Sequence, residues 1–156
     1  MSRRAFMAYD IQNQIADNNG ISAGKILEKE VTLTSAQILA MNATPIELIA
    51  APGPGKILEF VSAILFLDHG GTDYANGGDI VVRSSSAAQV TVSGTLTSAA
   101  SINLAHDNYA MMQALNAAIM LAAEVDEALE LYSDTDHITG DGVARIKVMY
   151  RVHDFS

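Results

Sequence analysis

From Ala144 to His153, the residues Ala144, Ile146, Val148, Tyr150 and Val152 alternate with Arg145, Lys147, Met149, Arg151 and His153. Successive side chains of a strand point to opposite faces, so this period of two predicts a strand with one face in a core and the other in water. Such a strand does not stand alone. It needs neighbours in a sheet and a second layer over its apolar face, and the rest of the chain has to supply both.

The supply comes in short segments. Val31 and Leu33 point one way and Glu30, Thr32 and Thr34 the other, which predicts another strand. Ser35 reads as the N-cap of a single helical turn over Ala36–Met41, and Asn42-Ala43-Thr44-Pro45 stops it, because a residue before proline disfavours the helical region. Pro45–Ala50 returns to an extended pattern, and Ala51-Pro52-Gly53-Pro54-Gly55 is a rigid turn. Lys56–Asp68 then carries apolar residues at both parities. Counted by twos, Leu58, Phe60, Ile64 and Phe66 share one face, and Ile57, Val61, Ala63, Leu65 and Leu67 the other. A strand apolar on both faces needs cover on both sides. A core covers one; a second subunit or a helix of the same chain must cover the other.

Further on, His69–Gly78 reads as a glycine-rich hairpin loop, Asp79–Arg83 and Gln89–Val92 as short strands, and Thr97–Ala105 as a small helical turn. Tyr109–Ala123 favours helix by composition, but the surrounding β rhythm makes it two short strands broken near Asn116. Ala128–Ser133 is a strand and Ser133–Gly142 a polar turn. Residues 1–24 differ: Met7, Ile11 and Ile15 stand four apart, as on a short amphipathic helix, and Asp17-Asn18-Asn19-Gly20 ends it. This segment is either a helix packed on the domain or an arm ordered by a neighbouring subunit. The expected fold is mainly β, an antiparallel β-sandwich or jelly-roll-like single domain over 25–156 with one or two short helices.

A chain of 156 residues fits one domain, which buries about 68–70% of its unfolded surface. Aromatics are 6% and Trp is absent, so aliphatic side chains must build the core. Without cysteine there is no disulfide, thiolate metal site or thiol nucleophile. Eighteen acidic residues against 9 basic give a net charge of −9, which argues against a phosphate-neutralising surface; nucleic acid is not an expected partner. No Lys or Arg occurs between Arg83 and Arg145, while Glu124, Asp126, Glu127, Glu130, Asp134, Asp136 and Asp141 crowd the end of that stretch. They form a solvated face, or a patch for a basic partner or divalent cation. The row Arg145, Lys147 and Arg151 would pair with this stretch in the same or an adjacent subunit. No apolar run approaches the roughly 20 residues a membrane helix needs, so no membrane partner is expected. The opening MSRRAFMAYD lacks a secretory pattern, which implies cytoplasmic synthesis.

Catalytic signatures are weak. His69, His106, His137 and His153 have no i, i+4 partner on a helix, so no metal is expected. Asp68-His69 and Asp136-His137 are sequence neighbours that would point to opposite faces. There is no Gly-x-Ser-x-Gly elbow, and Gly53-Pro54-Gly55-Lys56 lacks the spacing and the following helix of a phosphate loop. The chain reads as a non-enzyme without a cofactor.

Three stretches, LTSAQILAMNATPIEL from Leu33 to Leu48, LFLDHGGTDY from Leu65 to Tyr74 and YRVHDF from Tyr150 to Phe155, in this order and spacing resemble small virion structural proteins of tailed bacteriophages, of the capsid-decoration or head-fibre kind. The resemblance covers roughly Val31 to Phe155. It implies a jelly-roll-like trimer, made in the host cytoplasm and carried in the virion, bound to the major capsid protein on the outer capsid surface. Under that reading Phe6, Met7, Tyr9 and Ile11 are the capsid-anchor candidates, and Phe60, Ile64 and Phe66 the trimer-seam candidates. A tail or head-fibre module that binds a host receptor or carbohydrate is the alternative, with Tyr74 and Tyr109 as its loop aromatics.

Overall fold

The computed structural model describes residues 25–115 and 125–156. Strands β1 (Leu27–Leu33), β2 (Ile46–Ile49), β3 (Lys56–Asp68), β4 (Ile80–Ser84), β5 (Asn108–Gln113), β6 (Leu129–Ser133) and β7 (Val143–Asp154) form two antiparallel sheets, in the orders β1-β7-β3-β5 and β2-β6-β4. Odd-numbered strands make one sheet and even-numbered strands the other, so every connection between these strands crosses the sandwich. The result is the mainly β, jelly-roll-like sandwich that the alternating patterns predict.

The alternation explains the layering. Leu33, Leu65, Leu67, Ile146 and Val148 line the inner face of the four-stranded sheet, and Ile46, Leu48, Ile80, Val82, Leu129 and Leu131 that of the three-stranded one; all are buried in a single cluster. Burial of such side chains contributes roughly 1.5–3 kcal/mol each, before the entropy cost of ordering the chain. At the top, α1 (Ser35–Leu39) drops Ile38 into this core. Its N-cap is Thr34, one residue before the expected Ser35: the Gln37 amide donates to Thr34 Oγ1 at 3.3 Å, and the Thr34 amide to Gln37 Oε1 at 2.9 Å. That reciprocal pair satisfies two amide donors at once, which Ser35 in the same role could not do with Ile38 three residues on.

Three other expectations change. His69–Gly78 is not a hairpin loop, because it links β3 in one sheet to β4 in the other. Gln89–Val92 forms no strand of its own; only an isolated bridge joins Thr91 to Arg83. The predicted turn at Thr97–Ala105 shrinks to a 3₁₀ turn at Ser98–Ala100. For Tyr109–Ala123, β5 is a strand as expected, with Ala110 and Met112 buried and Tyr109, Met111 and Gln113 exposed. Pairing with β3 overrides local helix propensity there. The expected second strand falls on 116–124, outside the described residues, as do the anchor candidates Phe6, Met7, Tyr9 and Ile11.

Candidate interaction surface

The strand with two apolar faces exists as predicted, over Lys56–Asp68, but its faces are not the ones a count by twos gives. On β7, Tyr150 pairs with Phe60 and Met149 with Ser62, so Val61 is an extra residue on β3. A bulge of this kind reverses which side each following residue faces. Before it, Leu58 and Phe60 point inward; after it, Ala63, Leu65 and Leu67 do. Phe60 is 4% exposed and belongs to the core. Ile64 and Phe66 turn to the outer face and are half-buried. The three seam candidates therefore do not share a surface.

What Ile64 and Phe66 share is a ladder with β5. Ile64 pairs with Met111 and Phe66 with Tyr109, and the Phe66 and Tyr109 rings lie 4.7 Å apart. Tyr109 is 71% and Met111 67% exposed. On the other side of β3, the Arg145 guanidinium lies 5.0 Å over the Phe66 ring, and Val143 continues the same face. These side chains form an apolar strip with one cationic border on the outside of the four-stranded sheet. Met111 was not among the candidates, and Tyr109 was one only as a loop aromatic of the receptor-binding alternative, whereas it stands on β5. Their signal was present, because in Tyr109-Ala110-Met111-Met112-Gln113 the large residues Tyr109 and Met111 occupy the same parity as the polar Gln113.

Beyond the strip, the same face is charged and internally paired. Lys147 reaches Glu28 at 3.2 Å and Glu30 at 3.6 Å on β1, contacts that hold its ammonium above the ordinary lysine value. Glu59 accepts from His153 Nε2 at 2.6 Å and from Arg151 at 3.1 Å. The His153 hydrogen bond first, and the Arg151 guanidinium with it, hold the Glu59 carboxyl below its ordinary value against the opposing effect of burial. The positive row of β7 thus pairs with neighbouring strands of its own sheet, not with the acidic stretch.

That acidic stretch is occupied as well. Asp126 accepts the Gly53 amide at 2.7 Å, Asp136 the Asn42 amide at 3.0 Å, Asp141 the Thr72 amide at 2.8 Å and Glu127 the Ser85 hydroxyl at 2.7 Å. Glu130 takes Arg83 Nε at 2.7 Å while the Arg83 guanidinium lies 3.6 Å over the Tyr132 ring. The four loop carboxylates tie loops together, and the Arg83–Glu130 pair with Tyr132 joins β4 to β6 on the three-stranded sheet. Charge-assisted hydrogen bonds to backbone amides are well suited to that role. Where the two outer faces differ is therefore plain: one is latched by polar contacts, the other presents apolar side chains.

The sequence-adjacent His/Asp pairs do not act together. His69 Nε2 meets Asp73 at 2.7 Å instead of Asp68, and His137 is buried while Asp136 serves the Asn42 amide. Tyr74 is buried too, its hydroxyl donating to Gly142 O at 2.5 Å, which removes it from the exposed aromatics. Among the described residues no group of three or more His, Asp or Glu is placed to hold a metal ion, and no helix is long and apolar enough to cross a membrane.

Neither a protein-family model nor a curated protein matches the sequence. Among solved structures there is a weak similarity to a chain of the cyanophage Pam1 capsid asymmetric unit. It has a TM-score of 0.44 and 18% sequence identity, and covers 81% of this chain and 82% of that one. Likeness at this level assigns neither a fold family nor a function.

Proposed function

We propose that this chain is a non-catalytic structural protein of a tailed-phage virion, acting as a trimeric capsid decoration, or cement, protein on the outer surface of the major capsid shell. The observation that carries the assembly part is the apolar strip of Ile64, Phe66, Tyr109 and Met111 on an otherwise charged sheet face. Exposed apolar side chains gathered in one place mark interaction sites, whereas scattered ones do not. The virion part rests on the resemblance of Leu33–Leu48, Leu65–Tyr74 and Tyr150–Phe155 to decoration and head-fibre proteins. Two of those stretches contain parts of β3 and β7, the strands beneath the strip.

Cementing requires no chemistry beyond binding. A trimer that touches several shell subunits at once stabilises them by mass action, and its three attachment points raise avidity without new kinds of contact. Ile64 and Phe66 are the seam residues in this reading, joined by Tyr109 and Met111, and residues 1–24 with Phe6, Met7, Tyr9 and Ile11 are the shell anchor. Binding of purified protein to shells that lack it, followed by cryo-electron microscopy, tests the whole reading. Density for trimers on the outer shell is the expected result. Deleting residues 1–24 should abolish binding while leaving the trimer intact, and unchanged binding would sink the anchor.

A second reading has one specific observation behind it. Tyr109 packed at a tilt against Phe66, with Arg145 beside them, also resembles the aromatic surfaces on which sugar rings rest, as a receptor-binding fibre module would need. Ile64 and Met111 make the strip more apolar than a sugar favours. Saturable glycan-array binding that is lost in Tyr109→Ala would move the protein to that class.

A further inference from the structure

A buried histidine joins the two loops at one end of the sandwich. His137, in the β6–β7 loop, is 2% exposed, and neither ring nitrogen has a hydrogen-bond partner among the described residues. The ring lies flat against Gly77 in the β3–β4 loop: a Cβ at Gly77 would stand 1.6 Å from Nδ1, so only glycine fits and no solvent separates the two. Tyr74 meets the ring edge-on, centroids 6.1 Å apart. Around this contact Ala75 and Ile138 exchange backbone hydrogen bonds of 2.9 Å each way, and the Gly78 amide donates to Thr135 O at 3.2 Å.

We propose that His137 is an acid-sensitive latch: its neutral ring holds the β3–β4 and β6–β7 loops together, and taking up a proton there opens them. A neutral imidazole already leaves one donor and one acceptor unmet in this site. The imidazolium would leave two donors unmet and bring a charge out of water, a much larger cost. The titratable groups that face the ring are Asp134 and Asp136 from its own loop and Tyr74 from the opposite one. The two carboxylates favour the charged form without hydrogen-bonding it, and burial outweighs them, holding the imidazole below its ordinary value of 6.5. In the opened state the ring meets water and takes its proton near that ordinary value. The closed loops are therefore favoured fully above about pH 6.5 and penalised progressively as pH falls below it.

Hydrogen exchange of the Ala75 and Ile138 amides, corrected for intrinsic rate and referenced to Leu65 in the core, reads the latch directly. Below about pH 6.5 their opening should increase up to about tenfold per pH unit until the closed-state value is reached. In His137→Asn and His137→Leu that dependence should vanish. A wild-type slope that persists in either variant overturns the proposal. Should both variants fail to fold, nuclear magnetic resonance titration of the wild-type imidazoles decides: a His137 midpoint at or above 6.5 in the folded protein overturns it, and a lower one, coinciding with loss of amide protection, supports it.

Discussion

Phe66 and Tyr109 lie 4.7 Å apart, centroid to centroid, with their ring planes tilted by 34°, on the solvent side of the β3–β5 ladder, and Tyr109 is the more exposed of the two. Neither ring is needed to close the sandwich, since both lie outside the cluster that fills it. A charge placed among them should therefore act on association and leave folding nearly untouched.

Met111→Asp is the sharpest such change, because Met111 is exposed next to this ring pair. At dilutions where both proteins are monomeric the melting temperature should stay close to wild type, as exposed substitutions usually fall within about 0.5 kcal/mol. Sedimentation analysis should show the proposed trimer giving way to monomer. A monomeric wild-type protein at micromolar concentration would remove the basis for the seam.

Phe60 and Phe66 offer a contrast on one strand. Phe60→Ala empties a core site and should cost about 3–5 kcal/mol in urea unfolding. Phe66→Ala removes a half-buried ring and should cost about 1 kcal/mol in the isolated subunit. Equal losses would place the bulge at Val61 in doubt.

Arg83 and Glu130 form an ion pair that is mostly shielded from water, with Arg83 also over Tyr132. Glu130→Leu strands the guanidinium and should destabilise by about 3 kcal/mol, whereas the double change Arg83→Met with Glu130→Leu should cost much less than the sum of the single changes. Additive losses in denaturant titrations would contradict the coupling.

Tyr74 sets an alkaline limit. Burial, aided by the Asp141 charge, pushes its phenol from 10.0 up to about 12. Below about pH 10 folded and unfolded chains both keep the proton, so this group adds no pH dependence there. Above it the unfolded chain ionises first, and the stability Tyr74 supplies is lost as pH rises toward about 12. Tyr74→Phe loses the bond to Gly142 O and should cost about 1 kcal/mol near neutral pH. The gap between the two proteins in urea midpoint should narrow above about pH 10, and a constant gap would argue against a buried phenol.

Much of this protein is legible from the chain alone. Alternation located β1 and β7, because a face that meets a core must repeat every second residue wherever its neighbours lie, and an unbroken apolar run located β3. Local chemistry located the helical turn and the Pro/Gly turn before β3. Even the strand character of Asn108–Gln113 followed from its surroundings, against its composition. Three matters were settled only by tertiary structure. Val61 became a bulge because β7 runs past β3 with one residue fewer, a mismatch between two segments that neither records by itself, and it sent Phe60 inward and Phe66 outward. The acidic stretch was absorbed by amides at Gly53, Asn42 and Thr72, between 69 and 94 residues away in the chain. And the loops around His137 came together because β3 ends where β7 begins, Asp68 pairing with Val143, a proximity that pairing creates and that local patterning, which reports only on near neighbours, does not contain.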